Sequence, residues 1–450
     1  MTHANPWAGP AILAVFCITY ALVFAEEKLH LRKSKPVMVG AAIIWILVAI
    51  AYQRNGSGAL VGAVLRDVLT EYAELFLFLL SAMSFVNAMV ERNVFEVLRA
   101  RLSSMRLTAR GVFWVTGIIA FALSPVADNL TTALVMGTVV MATLGNRSKA
   151  VVGALVSVVV AANAGGAFSP FGDITTLMIW QKGVVQFAQF FNLFLPALIS
   201  WLIPAFIISF TIPRQSPEEQ VYPARLRRGA WVIVIMFALT IAATVFLDHF
   251  LHLPPFLGMM MGLGVLNFYS YFLSGAHLRR QVNGSAPFDI TSSGIKRDQA
   301  HKPFDMFAIL EKVEWDTLLF FYGIMFCVGG LGAIGYLEGL SRFLYGGLGP
   351  THANILVGLV SAVVDNIPLT FAVLTMHPVM NSGQWLLITL TAGIGGSLLS
   401  VGSAAGVALM GISRGKYTFL SHLKWTGVIL LGYAAGIAAH LLLNSRLFVN

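Results

Sequence analysis

Three aspartates, Asp128, Asp173 and Asp365, stand inside long apolar stretches of this 450-residue chain. An ionised group at the centre of a bilayer costs about 2.5 to 3.5 kcal/mol even on the mildest insertion scale, so each is by default a sign of ion traffic. Two of them sit in near-copies of one string, Ser124-Pro125-Val126-Ala127-Asp128-Asn129-Leu130-Thr131-Thr132 and Ser361-Ala362-Val363-Val364-Asp365-Asn366-Ile367-Pro368-Leu369-Thr370. Each copy is followed by a glycine pair, Gly165-Gly166 and Gly395-Gly396. Most other Asp and Glu fall in loops or at span ends, and the topology derived below leaves no Lys or Arg at hydrocarbon depth. A carboxylate buried without a basic partner holds a proton, because desolvation disfavours its charged form, or it holds a cation. Taking one or the other in turn is the minimal chemistry of an exchanger.

The neighbours of these aspartates suit the same task. Asn163 to Asp173 interrupts one apolar run with Gly165, Gly166, Pro170 and Gly172, and Gly393 to Ser403 interrupts another with Gly395, Gly396 and Gly402. A helix broken at membrane depth presents unpaired carbonyls on one side and unpaired N–H groups on the other. Two tips and two breaks are therefore expected to converge, with Asp128, Asn129, Asp173, Asp365 and Asn366 binding cation and proton. Thr131, Thr132, Asn163, Ser169, Thr175, Thr176, Thr370, Ser400 and Ser403 offer supporting oxygens, although hydroxyls in membrane helices often bond their own backbone. Capping is a competing use for Asp128 and Asp365, since Asp is a favoured N-cap and Pro368 suits a first helical turn. Close helix packing is a competing use for the glycines. It leaves Asp173 unexplained.

The elements that must hold these residues are membrane spans. The chain is 57% hydrophobic and 11% charged, with a mean hydropathy of +0.79, which excludes an ordinary soluble domain, where about a quarter of residues are charged. Runs near 20 residues match the length that crosses about 30 Å of hydrocarbon. Ten crossings are expected, at 10–25, 37–53, 72–90, 151–180, 190–212, 230–247, 256–274, 315–337, 385–412 and 423–443. The net charge of +9 does not point to nucleic acid, because all Lys and Arg but Arg54, Arg66, Lys182, Arg342 and Arg446 fall in loops on one side. By the positive-inside rule that side is cytoplasmic, and both termini lie outside. Cys17 and Cys327 sit in apolar spans and read as small hydrophobes. No cofactor is expected.

This charge asymmetry holds only if the stretches 111–145 and 353–376 enter and leave by one face, as re-entrant hairpins. About 14 residues from Gly111 to a turn at Pro125 give about 21 Å of helix, enough to reach membrane depth but not to emerge. Such a turn is tolerated only where protein or a water-filled cavity covers it. The fold class expected is thus an all-α polytopic membrane protein of two inverted-topology repeats, five spans each, every repeat with one hairpin and one broken helix. Residues 1–213 form the first repeat, with its hairpin at 111–145 and its break within 151–180. Residues 214–450 form the second, with a cytoplasmic connector at 275–314, a hairpin at 353–376 and a break within 385–412. The segment 92–110 spaces Phe95, Leu98, Leu102 and Met105 as an amphipathic interfacial helix would.

In its longest strings, Leu123 to Ala133, Val160 to Thr176, Val364 to Pro368 and Gly395 to Ser403, the chain resembles the NhaD-type sodium/proton antiporters of the ion transporter superfamily. The resemblance covers almost the whole sequence. It implies a bacterial inner-membrane exchanger of cytoplasmic Na⁺ or Li⁺ for external H⁺, active at alkaline pH, with Na⁺ held at Asp128, Asp173 and Asp365, and a homodimer. The residues alone give only a small cation against a proton. An anion carrier of the same superfamily is the nearest rival, disfavoured by three carboxylates and no intramembrane base. An intramembrane aspartyl protease is the rival of another class, but Pro170 stands where its Gly-x-Gly-Asp motif needs the first glycine.

Overall fold

The computed structural model describes residues 7–29, 31–105, 107–145, 148–214, 224–282 and 304–449. Among the described residues every regular element is a helix, and nine are long and apolar enough to cross a membrane, with Ala8–Phe24, Asn129–Leu144 and Asn366–Met376 shorter and apolar. The chain is an all-α polytopic membrane protein. Each of the ten expected crossings contains helix, and two are interrupted where the glycines lie: Ser148–Gly166 resumes as Ile174–Gln181, and Ser382–Gly395 resumes as Ala404–Ile412. The third crossing is longer than expected, running Gly58–Glu91 over 34 residues, about 51 Å. Arg66, Asp67 and Glu71 interrupt the apolar run in this N-terminal part, which is why the sequence places the crossing later. Residues 283–303 of the expected connector, together with Arg147 and residues 215–223, lie outside the described residues.

The chain forms two compact units that cut across the sequence halves. One comprises Met1–Tyr72, Leu98–Pro223 and Asp316–Asn450, and the other Ala73–Val97 and Ala224–Trp315. In the smaller unit the helices Ala230–Leu251 and Pro255–Val282 pack closely because Gly258 and Gly262 face Thr244 and Thr240. Phe85 stacks on Phe237, and the Ser81 hydroxyl donates to the Met259 carbonyl. Trp231, Ile235, Leu239, Phe246 and Phe250 stay exposed, as a helix facing acyl chains requires. Of the expected interfacial stripe, Phe95 and Leu102 on the helix Val94–Ser104 are buried, and Met105, just past its end, is exposed.

The larger unit holds every candidate site residue. Its centre is the helix Ser148–Gly166, whose apolar window is 89% buried. The first hairpin, Ala109–Ala127 and Asn129–Leu144, lies against it. The second hairpin, Pro350–Val360 and Asn366–Met376, lies likewise against Ser382–Gly395. The second arms of the broken helices cross over: Ile174–Gln181 packs on the second hairpin and Ala404–Ile412 on the first. Thr108 caps the first hairpin by accepting from the Gly111 amide, and Pro350 occupies the first turn of the second.

Candidate functional site

The turn of the first hairpin falls at Asp128, not at Pro125, which the helix incorporates. Proline has no N–H to give the carbonyl four residues back, so the Phe121 oxygen lacks its helical donor. Gly165 packs directly on that oxygen, and any Cβ there would collide with it. The break then wraps the tip: Gly172 lies so close to the Ser124 carbonyl that a Cβ would stand 2.6 Å away, Ser169 donates to Pro125 O at 2.7 Å, and Ser124 donates to Ala162 O at 2.6 Å. Matching contacts recur in the second half. Gly395 packs on the Gly358 oxygen, Gly402 crowds the Ser361 and Ala362 carbonyls, and Ser361 donates to Ala392 O at 2.9 Å. Asp173 and Ser403 occupy matching caps with φ of −143° and −141°, accepting from the Thr175 and Gly406 amides.

The two halves meet through amides. Asn366 donates to Asp173 Oδ2 at 3.2 Å, and both side chains are buried, at 4% and 5% exposure. Asn129 donates to Asn163 Oδ1 at 3.2 Å, and Asn163 donates in turn to the Ser397 hydroxyl at 2.8 Å. Gly393 lies beside Asp173, since a Cβ there would stand in ordinary contact with Oδ2, 3.5 Å away. Asp365 is near enough for its charge to act on Asp173. The hydroxyls of Thr132, Thr176 and Thr370 are buried without a hydrogen-bond partner, a state that costs about 1–3 kcal/mol each and suits oxygens awaiting a water or an ion.

Not every expected residue joins this centre. Asp128 turns its carboxylate onto its own second arm, accepting from Thr131 N at 2.7 Å and from the Thr131 hydroxyl at 2.8 Å. Ser400 pairs with Met410 Sδ, and Ser403 caps its own helix. Among the described residues no three His, Cys, Asp or Glu side chains converge on one metal-sized point.

One expectation is overturned. Asp365 does have a basic neighbour: Lys33 Nζ stands 3.9 Å from its Oδ2, with the two side chains 29% and 22% exposed. Sequence reasoning left Lys33 in a cytoplasmic loop, because a lysine at a span end reads as a topology signal. Its four-carbon stem instead carries the ammonium inward over the Phe320 ring, 4.9 Å from the centroid. Ser397 was also missed, although it is the hydroxyl residue beside the second glycine pair. His422 accompanies it, with Nε2 2.9 Å from the Ser397 carbonyl and Nδ1 against the Tyr417 hydroxyl. No spacing in the sequence marks that contact.

With this geometry in place, comparison with known proteins is informative. The sequence model of the citrate transporter family, CitMHS, matches residues 10–393. The chain is 52% identical over 444 residues to the Na(+)/H(+) antiporter NhaD of Alkalimonas amylolytica, covering 98% of this chain and 92% of that one. It is 52% identical over 449 residues to the NhaD of Vibrio cholerae, covering 99% and 94%. Sodium/proton antiporter 1 of Arabidopsis thaliana is 31% identical over 454 residues, covering 97% and 73%.

Proposed function

We propose, for a chain that belongs to the family of NhaD Na⁺/H⁺ antiporters, that it exchanges cytoplasmic Na⁺ or Li⁺ for external H⁺ by letting cation and proton compete for carboxylates within the membrane. Family membership makes it a transporter and not an enzyme. The observation that carries the finer reading is the enclosed Asp173, fully desolvated yet faced by a neutral amide, Asn366, from the other half. A carboxylate with such a neighbour takes H⁺ or a small cation, but not both. Asp365 adjoins Asp173, and the first tip adjoins it through Gly172 on Ser124 and Pro125. Asp128 and Asp365 thus flank the centre, and Asn129, Asn163 and Ser397 link the breaks across it.

Inverted repeats are supported by how matched elements pair. Along Phe194–Ser209 and Thr426–Leu443, Gly436 meets Pro196 and Ser200 while Gly432 meets Ser200 and Pro204, an antiparallel crossing. The two breaks cross the same way, Asn163 on Ser397 and Ala167 on Gly393. A two-fold axis in the membrane plane relates equivalent helices in this manner. Placement in a bacterial inner membrane with both termini periplasmic, and assembly as a homodimer, complete the reading. Labelling of single terminal cysteines by an impermeant maleimide on intact cells, with cross-linking of the purified protein, tests both.

The deciding experiment is Na⁺-dependent proton flux in everted vesicles. Asp128→Asn, Asp173→Asn and Asp365→Asn each abolish it while the proteins still insert, and near-normal flux in all three would falsify the site. The citrate transporter match raises a second reading, an organic anion as cargo. Asp173 lies at the centre with Asp128 and Asp365 flanking it, and Lys33, the cation found beside it among the described residues, is engaged by Asp365, so citrate added with Na⁺ absent leaves proton flux unchanged.

A further inference from the structure

Lys33 and a transported cation have the same reason to approach Asp365. The lysine is the N-cap residue of the helix Ser34–Arg54, so its backbone is anchored at the helix end and its four-carbon stem extends from there. The adjacent Ser34 hydroxyl donates to Asp316 at 2.5 Å. The ammonium lies over the Phe320 ring, 4.9 Å from its centroid, and 3.9 Å from Asp365 Oδ2. Among the described residues Asp365 also acts electrostatically on Asp173 and on the Tyr20 hydroxyl, neither of which supplies a positive charge as the ammonium does.

The form of the contact matters. A structural ion pair draws in to about 2.7–2.9 Å and hydrogen-bonds, whereas this one stands at 3.9 Å with both groups partly exposed. Pairs of that kind hold weakly and exchange readily. Asp365 also gives no oxygen to its own helix, since it makes no side-chain cap. Its carboxylate is therefore available to whichever monovalent cation arrives, and one is tethered within reach.

We propose that Lys33 is a resident surrogate cation: its ammonium occupies Asp365 when no cargo is bound, and cation entry displaces it. This rests on the reading of Asp365 as part of the transport site and adds a specificity-setting competitor to it. Lys33 keeps the second tip electrically compensated in the empty carrier, and sets a threshold that cytoplasmic Na⁺ must exceed.

The test uses the full-length protein in proteoliposomes at one alkaline pH. Lys33→Gln lowers the KM for Na⁺ about two- to five-fold, the range that loss of a weak ionic competitor allows, and Lys33→Arg restores a KM within two-fold of the parent. A KM in Lys33→Gln equal to or above that of the parent overturns the proposal. Independently of any variant's folding, acylation of Lys33 in the parent protein by an amine-directed reagent, read peptide by peptide in the mass spectrometer, rises at least two-fold when NaCl replaces choline chloride. Flat labelling overturns it as well. The two levels separate cleanly: normal flux in Asp365→Asn removes Asp365 from the transport site and the competitor with it, whereas a dead Asp365→Asn with Na⁺-indifferent Lys33 labelling defeats only the competitor.

Discussion

At the first hairpin tip, Asp128 commits both carboxylate oxygens to its own helix and holds a backbone φ of 55° to do so. At the second, Asp365 has an ordinary φ of −48°, makes no cap, and turns toward Lys33. Yet both carry the same Asp-Asn pair, and the asparagines also part ways: Asn366 reaches the carboxylate of Asp173, while Asn129 reaches the amide of Asn163. A non-glycine residue in such a strained conformation costs about 1–3 kcal/mol and persists only where its surroundings over-determine it. The two tips thus differ: one is built around a capped aspartate, and the other carries an aspartate that makes no cap and stands beside Lys33. Under the competition proposed above this difference is a division of labour, because a site that binds in turn needs at least one ligand not already satisfied by its own helix.

The asparagines give the larger test of that contrast. Asn366→Ala removes a donor from a buried carboxylate, a charge-assisted bond whose loss costs about 1.5–3 kcal/mol. Asn129→Ala removes a neutral bond worth about 1 kcal/mol. In detergent-solubilised protein at neutral pH, the unfolding midpoint falls further for Asn366→Ala than for Asn129→Ala. Equal or reversed shifts would mean that Asp173 does not depend on the second tip, and the two amides would be interchangeable packing groups.

The contrast also marks what a single sequence can and cannot tell. Asp128, Asp173 and Asp365 stood out because charge in an apolar run is costly wherever it lies, and the glycines because backbone must approach backbone at a break. The helix limits followed from hydropathy, except where Gly58–Glu91 continues past Arg66 and Asp67, since helix formation and burial are separate requirements. What stayed hidden was direction. Nothing in the string Asp-Asn says whether the carboxylate faces its own Thr131 or a lysine more than 300 residues away. Lys33 was misread for the same reason: its position was legible, but the reach of its stem was not. Ser397 and His422 meet only through the crossing of the broken helix with the segment before the last span, a packing result with no periodic trace.

The smallest effect is the most discriminating, because it asks whether the two aspartates do different structural work. Asp128→Ala deletes an N-cap and leaves alanine at positive φ, for a loss of about 1–2 kcal/mol. Asp365→Ala deletes only a long, partly exposed ion pair, worth about 0–1 kcal/mol after solvent screening. Thermal unfolding of the two purified variants separates these values, with Asp128→Ala lower in midpoint and Asp365→Ala close to the parent. Asp128→Asn completes the argument, since asparagine caps as well as aspartate and tolerates positive φ better than most residues. It keeps the parent's midpoint while losing the charge. If Asp128→Asn proves as unstable as Asp128→Ala, the charge itself holds the first tip together, and the distinction between a rigid tip and an exchanging one disappears.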